Sequence, residues 1–297
     1  MKFIDCLTIS NSIRSDIKNF VDNLNGQRVP TLAVVVVGNI YASQVYVRNK
    51  ELACRKCGVN FIKYELKEKT TEQELIELLK KINLDPDINA VITQLPLPKH
   101  INEEKIKEFI SPKKDADCFS PENLAKLFNL TRNDNLDDFI LPCTANACID
   151  ALKSVCQDLE GKNAVVIGRS NLVGKPLIHL LLKEDCTVTA THSKTVDLKH
   201  ITQNADIVIS AVGKAKFLKR DMFKNDAIAI DVGISRSADN SISGDIDAES
   251  LKDTDVTLTP VPGGIGPMTV SYLIKNVCKL FAKQQMEDFN GEHFSGK

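Results

Sequence analysis

Short apolar runs alternate with amphipathic stretches along this chain, a pattern that predicts an α/β protein built from strand–helix–strand units. Leu32–Gly38 (LAVVVVG) is apolar throughout, as expected of a strand buried on both faces. Ala42–Cys57 has helical spacing and ends at Gly58, a residue suited to a helix C-cap. Val59–Leu66 reads as a second strand. Thr71–Ile82 follows as a helix, with Thr70 or Thr71 as N-cap and Glu74 placed to close a capping box. Ala90–Leu95 is a third strand, stopped by Pro96 and Pro98. Weaker segments begin at Asn102 or Ser111.

The segment 129–141 (NLTRNDNLDDFIL) starts polar and turn-rich, which marks a hinge or a surface loop. A second α/β run follows. Asn163–Gly168 is a strand, and Gly174–Leu182 is a helix with Pro176 in its first turn. Further strands are expected at Thr187–Thr191, Ala205–Val212, Ala227–Ile234 and Val256–Thr259. A last helix spans roughly Thr269–Met286, and the tail Asn290–Lys297 reads as frayed.

The 297 residues suggest two domains, at roughly 100–200 residues each. Lys and Arg number 38 against 39 Asp and Glu, so no long-range field favours nucleic acid, and no nucleic-acid partner is expected. No apolar run approaches the roughly 20 residues of a membrane span, and the N-terminus lacks the apolar core of a secretory signal. Nine cysteines, an odd count at irregular spacing, fit a reducing compartment, and a cytoplasmic location is expected. Cys54 and Cys57 have the spacing of a zinc half-site, but no second Cys/His pair accompanies them; no metal is expected.

Two ends of the chain carry candidate chemistry. Asn163–Leu182 (NAVVIGRSNLVGKPLIHLLL) runs from a strand through a turn at Gly168 into a helix opened by Gly174. A doubly wound domain places a pyrophosphate at such a helix N-terminus. The spacing departs from G-x-G-x-x-G, because Ser170 takes the middle position. An NAD site carries Asp or Glu about 20 residues on, to bind the ribose diol. Here that strand ends in His192-Ser193-Lys194-Thr195, and Arg169 lies in the first turn, so hydroxyls and cations favour NADP over NAD. In the first half, Tyr46 and Lys50 stand one helical turn apart on one face. A lysine near a phenol suits acid–base work. Short-chain dehydrogenases share Y-x-x-x-K but place it after the nucleotide turn, whereas here it comes first. Gln94 and Leu95 end the third strand, where α/β sites lie. Asp115 and Asp117 follow, and Thr259–Thr269 (TPVPGGIGPMT) is a Pro/Gly-rich loop.

Taken in order, SQVYVRNK, TQLPLP, DAD-x-F-S-P-x-N, LPCT, GRSNLVGKP, HSKT, AVGK, IDVGI, GDID and TPVPGGIGPMT resemble the bifunctional methylenetetrahydrofolate dehydrogenase/methenyltetrahydrofolate cyclohydrolase family over about residues 1–285. The resemblance implies two α/β domains with a folate cleft between them. Residues 1–140 plus 270–297 would form the catalytic domain, and residues 141–269 a Rossmann-type NADP domain with a doubly wound parallel sheet. It implies NADP-dependent oxidation of 5,10-methylenetetrahydrofolate, hydrolysis of the methenyl product to 10-formyltetrahydrofolate, and a homodimer. By motif position Lys50 is the catalytic lysine, Tyr46 flanks the pterin, Gln94 tunes Lys50, and Asp117 is the pterin-binding carboxylate. Leu95, Pro262, Gly263 and Gly264 fall at folate positions. Gly168, Arg169, Ser170, Ser193 and Ile234 match the NADP positions, with Thr144 near the nicotinamide. Some positions depart from the family pattern: Cys118 replaces a glycine, Ala145 and Ala147 replace Pro and Gly, Ala125 replaces a glycine, and Asn39–Ser43 differ after Gly38. A lost glycine matters only where a positive φ or a close approach is required.

Overall fold

The computed structural model describes residues 1–26, 28–39, 41–236 and 242–294. In chain order the first elements are β1 (Lys2–Phe3), α1 (Cys6–Asp22), β2 (Thr31–Val37), α2 (Tyr41–Lys56), β3 (Asn60–Leu66), α3 (Glu72–Leu84), β4 (Ala90–Thr93), α4 (Glu103–Glu108), α5 (Pro121–Phe128) and α6 (Cys143–Lys153). There follow β5 (Asn163–Ile167), α7 (Gly174–Lys183), β6 (Thr187–Thr191), α8 (Leu198–Gln203), β7 (Ile207–Ser210), β8 (Ile228–Asp231), β9 (Ser235–Arg236), β10 (Ile242–Ser243), β11 (Thr257–Leu258) and α9 (Ile265–Phe294).

The chain divides into two compact units. One comprises Met1–Asn11, Leu127–Asn135 and Pro142–Thr269; the other comprises Ser12–Lys126, Leu136–Leu141 and Val270–Lys297. Relative to the expected division, Met1–Asn11 and Leu127–Asn135 group with the later segment, while the breaks near 141 and at 269/270 fall where expected. The N-terminus groups with the later strands because β1 pairs in parallel with β11, Lys2 opposite Thr257 and Phe3 opposite Leu258.

The unit holding β2 contains a three-stranded parallel sheet in the order β3-β2-β4. All seven residues of β2 are buried, as its unbroken apolar run predicts. Ala33, Val35, Val37 and Val91 pack with Leu75, Leu79 and Ile82 of α3 and with Ile106 of α4. Helix α3 begins at the expected capping box: Thr71 Oγ1 accepts from Glu74 N at 3.2 Å, and Thr71 N donates to the Glu74 carboxylate at 2.8 Å. Asn102 caps α4 in the same manner, accepting from Glu104 N and Lys105 N.

The other unit contains a six-stranded, all-parallel sheet in the order β1-β11-β8-β7-β5-β6. The chain steps outward from β5 to β6 and then returns to β7 on the opposite side of β5. The carboxyl ends of β5 and β7 therefore flank the topological switch point, where open α/β sheets bind ligands.

Several boundaries differ from the sequence expectation. The strands expected at Ala205–Val212 and Ala227–Ile234 are shortened to β7 and β8, because the residues beyond them turn to hydrogen-bond buried aspartates. Helix α9 begins at Ile265, inside the expected loop; Pro267 is tolerated there because a first helical turn leaves its N–H groups free. The expected frayed tail is helical through Phe294, and its last three residues lie outside those described.

Candidate functional site

Helix α2 carries Tyr46 and Lys50 on one face. Tyr46 is about one-third exposed (36%), while Val47, Ala53 and Cys54 pack inward. Lys50 is half-buried, and its Nζ donates to Gln94 Oε1 at 3.0 Å. Gln94 stands immediately after β4, and its backbone N–H donates to Val35 O at 2.8 Å. Its side-chain Nε2 donates to Leu95 O at 2.8 Å. The amide is thus fixed at both ends: the nitrogen faces a carbonyl, so the oxygen faces the lysine.

The two acids of Asp115-Ala116-Asp117 have different environments. Asp115 is buried, and its carboxylate accepts from Phe119 N at 3.0 Å, Ser120 N at 2.8 Å and Asn123 Nδ2 at 3.1 Å. It closes the turn that presents Asp117, which is half-buried. Asn276 of α9 secures the same turn by donating from Nδ2 to Ala116 O at 2.8 Å and to Leu141 O at 2.9 Å. Cys118 within this turn has φ +60°, a left-handed conformation that a side chain disfavours. Burial, with Asp115 nearby, pushes its thiol well above the usual range.

In the other unit the strand–turn–helix motif lies at the carboxyl end of β5. Gly168 has φ +117°, and a β-carbon there would lie 2.7 Å from Ala211 O. Ser170 Oγ accepts from Val173 N at 3.2 Å and Gly174 N at 3.4 Å, so it satisfies free N–H groups at the start of α7. After β6, His192 N donates to Thr195 Oγ1 at 2.8 Å, and Lys194 N donates to His192 Nδ1 at 3.2 Å. This turn leaves the side chains of Ser193 and Lys194 exposed, with no carboxylate between Thr191 and Val196. Arg169 and Ile234 are also exposed, Ile234 three residues beyond β8. The Thr144 and Thr269 hydroxyls lie 3.4 Å apart. Pro262 is exposed, Gly263 has φ +98°, and buried Gly264 immediately precedes α9.

The structure thus brings Lys50, Gln94 and Leu95 together in one unit. In the other it sets Gly168, Arg169, Ser170, Ser193 and Ile234 after the carboxyl ends of the parallel strands β5, β6 and β8.

Residues 4–117 match the catalytic domain of tetrahydrofolate dehydrogenase/cyclohydrolase, and residues 142–285 match the NAD(P)-binding domain of the same enzyme. The chain belongs to the tetrahydrofolate dehydrogenase/cyclohydrolase family. It is 46% identical over 280 residues to the bifunctional protein FolD of Campylobacter hominis, covering 94% of this chain and 96% of that protein. The crystal structure of the bifunctional FolD methylenetetrahydrofolate dehydrogenase/cyclohydrolase from Campylobacter jejuni superposes with a TM-score of 0.89 at 39% identity, covering 96% of this chain and 99% of that one. The Trypanosoma brucei FolD enzyme, solved with NADP cofactor and an inhibitor, also gives a TM-score of 0.89, at 34% identity over 95% of this chain and 97% of that one.

Three of the departures noted in the sequence have a local physical meaning. The family's glycine before Phe119 falls where φ is left-handed, and Cys118 retains that conformation. Ala145 and Ala147, in place of Pro and Gly, are buried in α6, where alanine has the highest helix propensity. Sequence reasoning assigned no role to Asp115, Asn276, Asp231 or Asp245. The motifs IDVGI and GDID contained the last two, each with a glycine one or two residues from the aspartate.

Proposed function

We propose that Lys50 is the catalytic group of a bifunctional enzyme of one-carbon folate metabolism. The enzyme oxidises 5,10-methylenetetrahydrofolate in an NADP-dependent reaction and hydrolyses the 5,10-methenyl product to 10-formyltetrahydrofolate. The observation that carries this reading is the 3.0 Å hydrogen bond from Lys50 Nζ to Gln94 Oε1, one turn from Tyr46.

Bound NADP supplies the acceptor for the hydride that leaves the methylene carbon. The residues of the six-stranded sheet fit that coenzyme. The Gly168 turn leaves room for backbone approach to a pyrophosphate, and the first N–H groups of α7 favour an anion. Arg169 and Ser193 engage the 2′-phosphate, and no carboxylate after β6 repels it. Ile234 and Thr144 border the nicotinamide end. On the folate side, Asp117 accepts from the aminopyrimidine edge of the pterin, Tyr46 flanks its ring, and Leu95, Pro262, Gly263 and Gly264 line it. Water adds to the methenyl carbon and loses one proton, giving a carbinol. The ring C–N bond then breaks as its nitrogen takes a proton and the carbinol O–H gives up its own proton to form the formyl carbonyl, so that one proton is released in net. Lys50 Nζ accepts the first proton and returns one to the nitrogen, while Gln94 Oε1, accepting from Nζ, keeps the amine aimed. The enzyme acts in the cytoplasm as a homodimer; the nine free cysteines support a reducing compartment, and sedimentation analysis tests the dimer.

The test is one assay with 5,10-methylenetetrahydrofolate and either NADP or NAD, following reduced nucleotide and methenyl product separately. Strong NADP-dependent reduction with little methenyl build-up is expected. Lys50→Ala should abolish the hydrolysis and leave NADP affinity intact. Loss of NADP affinity in that variant would refute the placement of Lys50.

A further inference from the structure

Two aspartates of the six-stranded unit are buried and form no ion pair among the described residues: Asp231, 3% exposed at the end of β8, and Asp245, fully buried just after β10. Each carboxylate is satisfied by donors alone. Asp245 Oδ2 accepts from Ser210 Oγ at 2.8 Å and from Val212 N at 2.9 Å, and its Oδ1 accepts from Lys214 N at 2.6 Å. Asp231 Oδ1 accepts from Gly233 N at 3.0 Å and Asp245 N at 2.9 Å, and its Oδ2 accepts from Ile246 N at 2.8 Å. The two interlock through glycines. A β-carbon on Gly233 would overlap the Asp245 carboxylate, and one on Gly244 would overlap the Asp231 carboxylate. A stability role alone does not call for this arrangement, because burying a carboxylate is costly.

What the pair holds is the β7 side of the switch point. The three donors to Asp245 come from residues 210–214, the segment leaving β7. Within it Ala211 N donates to Ile167 O at 2.9 Å, and Ala211 O abuts the space beside Gly168. A continuous set of contacts therefore runs from the Asp245 carboxylate, through the 210–214 backbone, to the Gly168 turn. Asp231 in turn fixes the N–H groups of Asp245 and Ile246 and the turn at Gly233, next to Ile234. Its own N–H donates to Thr259 Oγ1 at 2.8 Å, at the start of the 259–264 loop.

We propose that Asp245, seated by Asp231, is the positioning residue of the NADP site: it sets the 210–214 segment against which the Gly168 turn is held. A carboxylate serves where an amide does not, since all three of its neighbours donate. Asparagine at position 245 would turn an N–H pair toward Lys214 N or toward Ser210 and Val212 N.

This inference rests on the NADP reading above. The test uses the full-length chain carrying Asp245→Asn and, separately, Ser210→Ala, which removes one donor and leaves the backbone free to fold. Three quantities are measured: Kd for NADP by isothermal titration calorimetry, KM for NADP in the dehydrogenase assay, and hydrolysis of 5,10-methenyltetrahydrofolate without nucleotide. Asp245→Asn should raise Kd and KM for NADP about tenfold or more, and Ser210→Ala about threefold, while hydrolysis is kept. Nucleotide constants unchanged in Ser210→Ala would overturn the proposal, as would hydrolysis falling in step with NADP affinity. A wild-type chain that binds no NADP would overturn the parent reading instead, which keeps the two failures distinct.

Discussion

At the scale of single residues, Thr93 and Cys118 sit beside the folate-side machinery at a cost in stability. Thr93, the last residue of β4, is buried, and its Oγ1 has no hydrogen-bond partner among the described residues. An unmade hydrogen bond at a buried hydroxyl costs about 1–3 kcal/mol. Thr93→Val keeps the shape and removes that cost. We expect it to raise stability by about 1 kcal/mol, read from urea unfolding, with both activities unchanged; a loss of hydrolysis would show that the hydroxyl serves the neighbouring Gln94. Cys118 combines a left-handed backbone with complete burial. Cys118→Gly relieves the first and forfeits the packing of the second, so the two effects, each about 1–2 kcal/mol, nearly cancel. Cys118→Val places a branched side chain at the same φ and should destabilise by about 3 kcal/mol or more. Arg169→Ala should weaken NADP far more than NAD, because only NADP carries the 2′-phosphate. Equal loss for both would remove Arg169 from that role.

At the scale of elements, the strand–turn–helix at β5 and α7 is held by backbone contact. A β-carbon on Gly174 would run into Gly168 O, with Arg169 Cα 2.9 Å away. Gly174→Ala must therefore push α7 off the turn, and we expect NADP affinity to fall about tenfold or more while hydrolysis by the Lys50 half persists. This motif was legible in the sequence because strand, turn and helix each carried a local signal. So were β2, β3, α2 and α3 with its capping box. Helix α1 was not. Its buried stripe runs through Cys6, Ser10, Ile17 and Val21, and Ser10 breaks the apolar period; the Ser10 hydroxyl reaches Pro267 O at 3.2 Å. Helix α6 was hidden for the opposite reason. Cys143, Ala145, Ala147, Cys148, Ile149, Ala151 and Leu152 are all buried, and the polar side narrows to Asn146, Asp150 and Lys153, so small residues and cysteines carry most of the apolar face and the period is weak. The paired aspartates escaped because their partners lie 31 to 35 residues away in sequence for Asp245 and 14 to 15 for most of Asp231, and local patterning carries no trace of such contacts.

At the scale of the whole molecule, the balanced net charge of −1 leaves acid–base linkage to a few buried groups. Asp231 is one. Burial pushes its carboxyl up to about 6, against the pull of three backbone N–H donors and with Asp245 adding to the rise. In the unfolded chain an aspartate titrates near ~3.9. Between these values the folded state binds more protons than the unfolded one, so stability falls as pH rises through that window. The contribution of Asp231 is therefore fully present below about pH 4 and lost above about pH 6, a swing on the order of 3 kcal/mol. Asparagine at this position does not titrate. The wild-type stability minus that of Asp231→Asn should then decline from pH 4 to pH 6 and be level on either side, with the other titrating groups cancelling in the difference. Urea midpoints of the two proteins across pH 4–8 measure it. A level difference throughout would mean that the carboxylate is ionised over the whole range, held so by its N–H donors. A decline would show that the enzyme carries, at neutral pH, a charged group that weakens its fold. Such a cost is understandable if the Asp231 carboxylate does something the fold itself does not require, which is the seating of Asp245 inferred for it at the dinucleotide site.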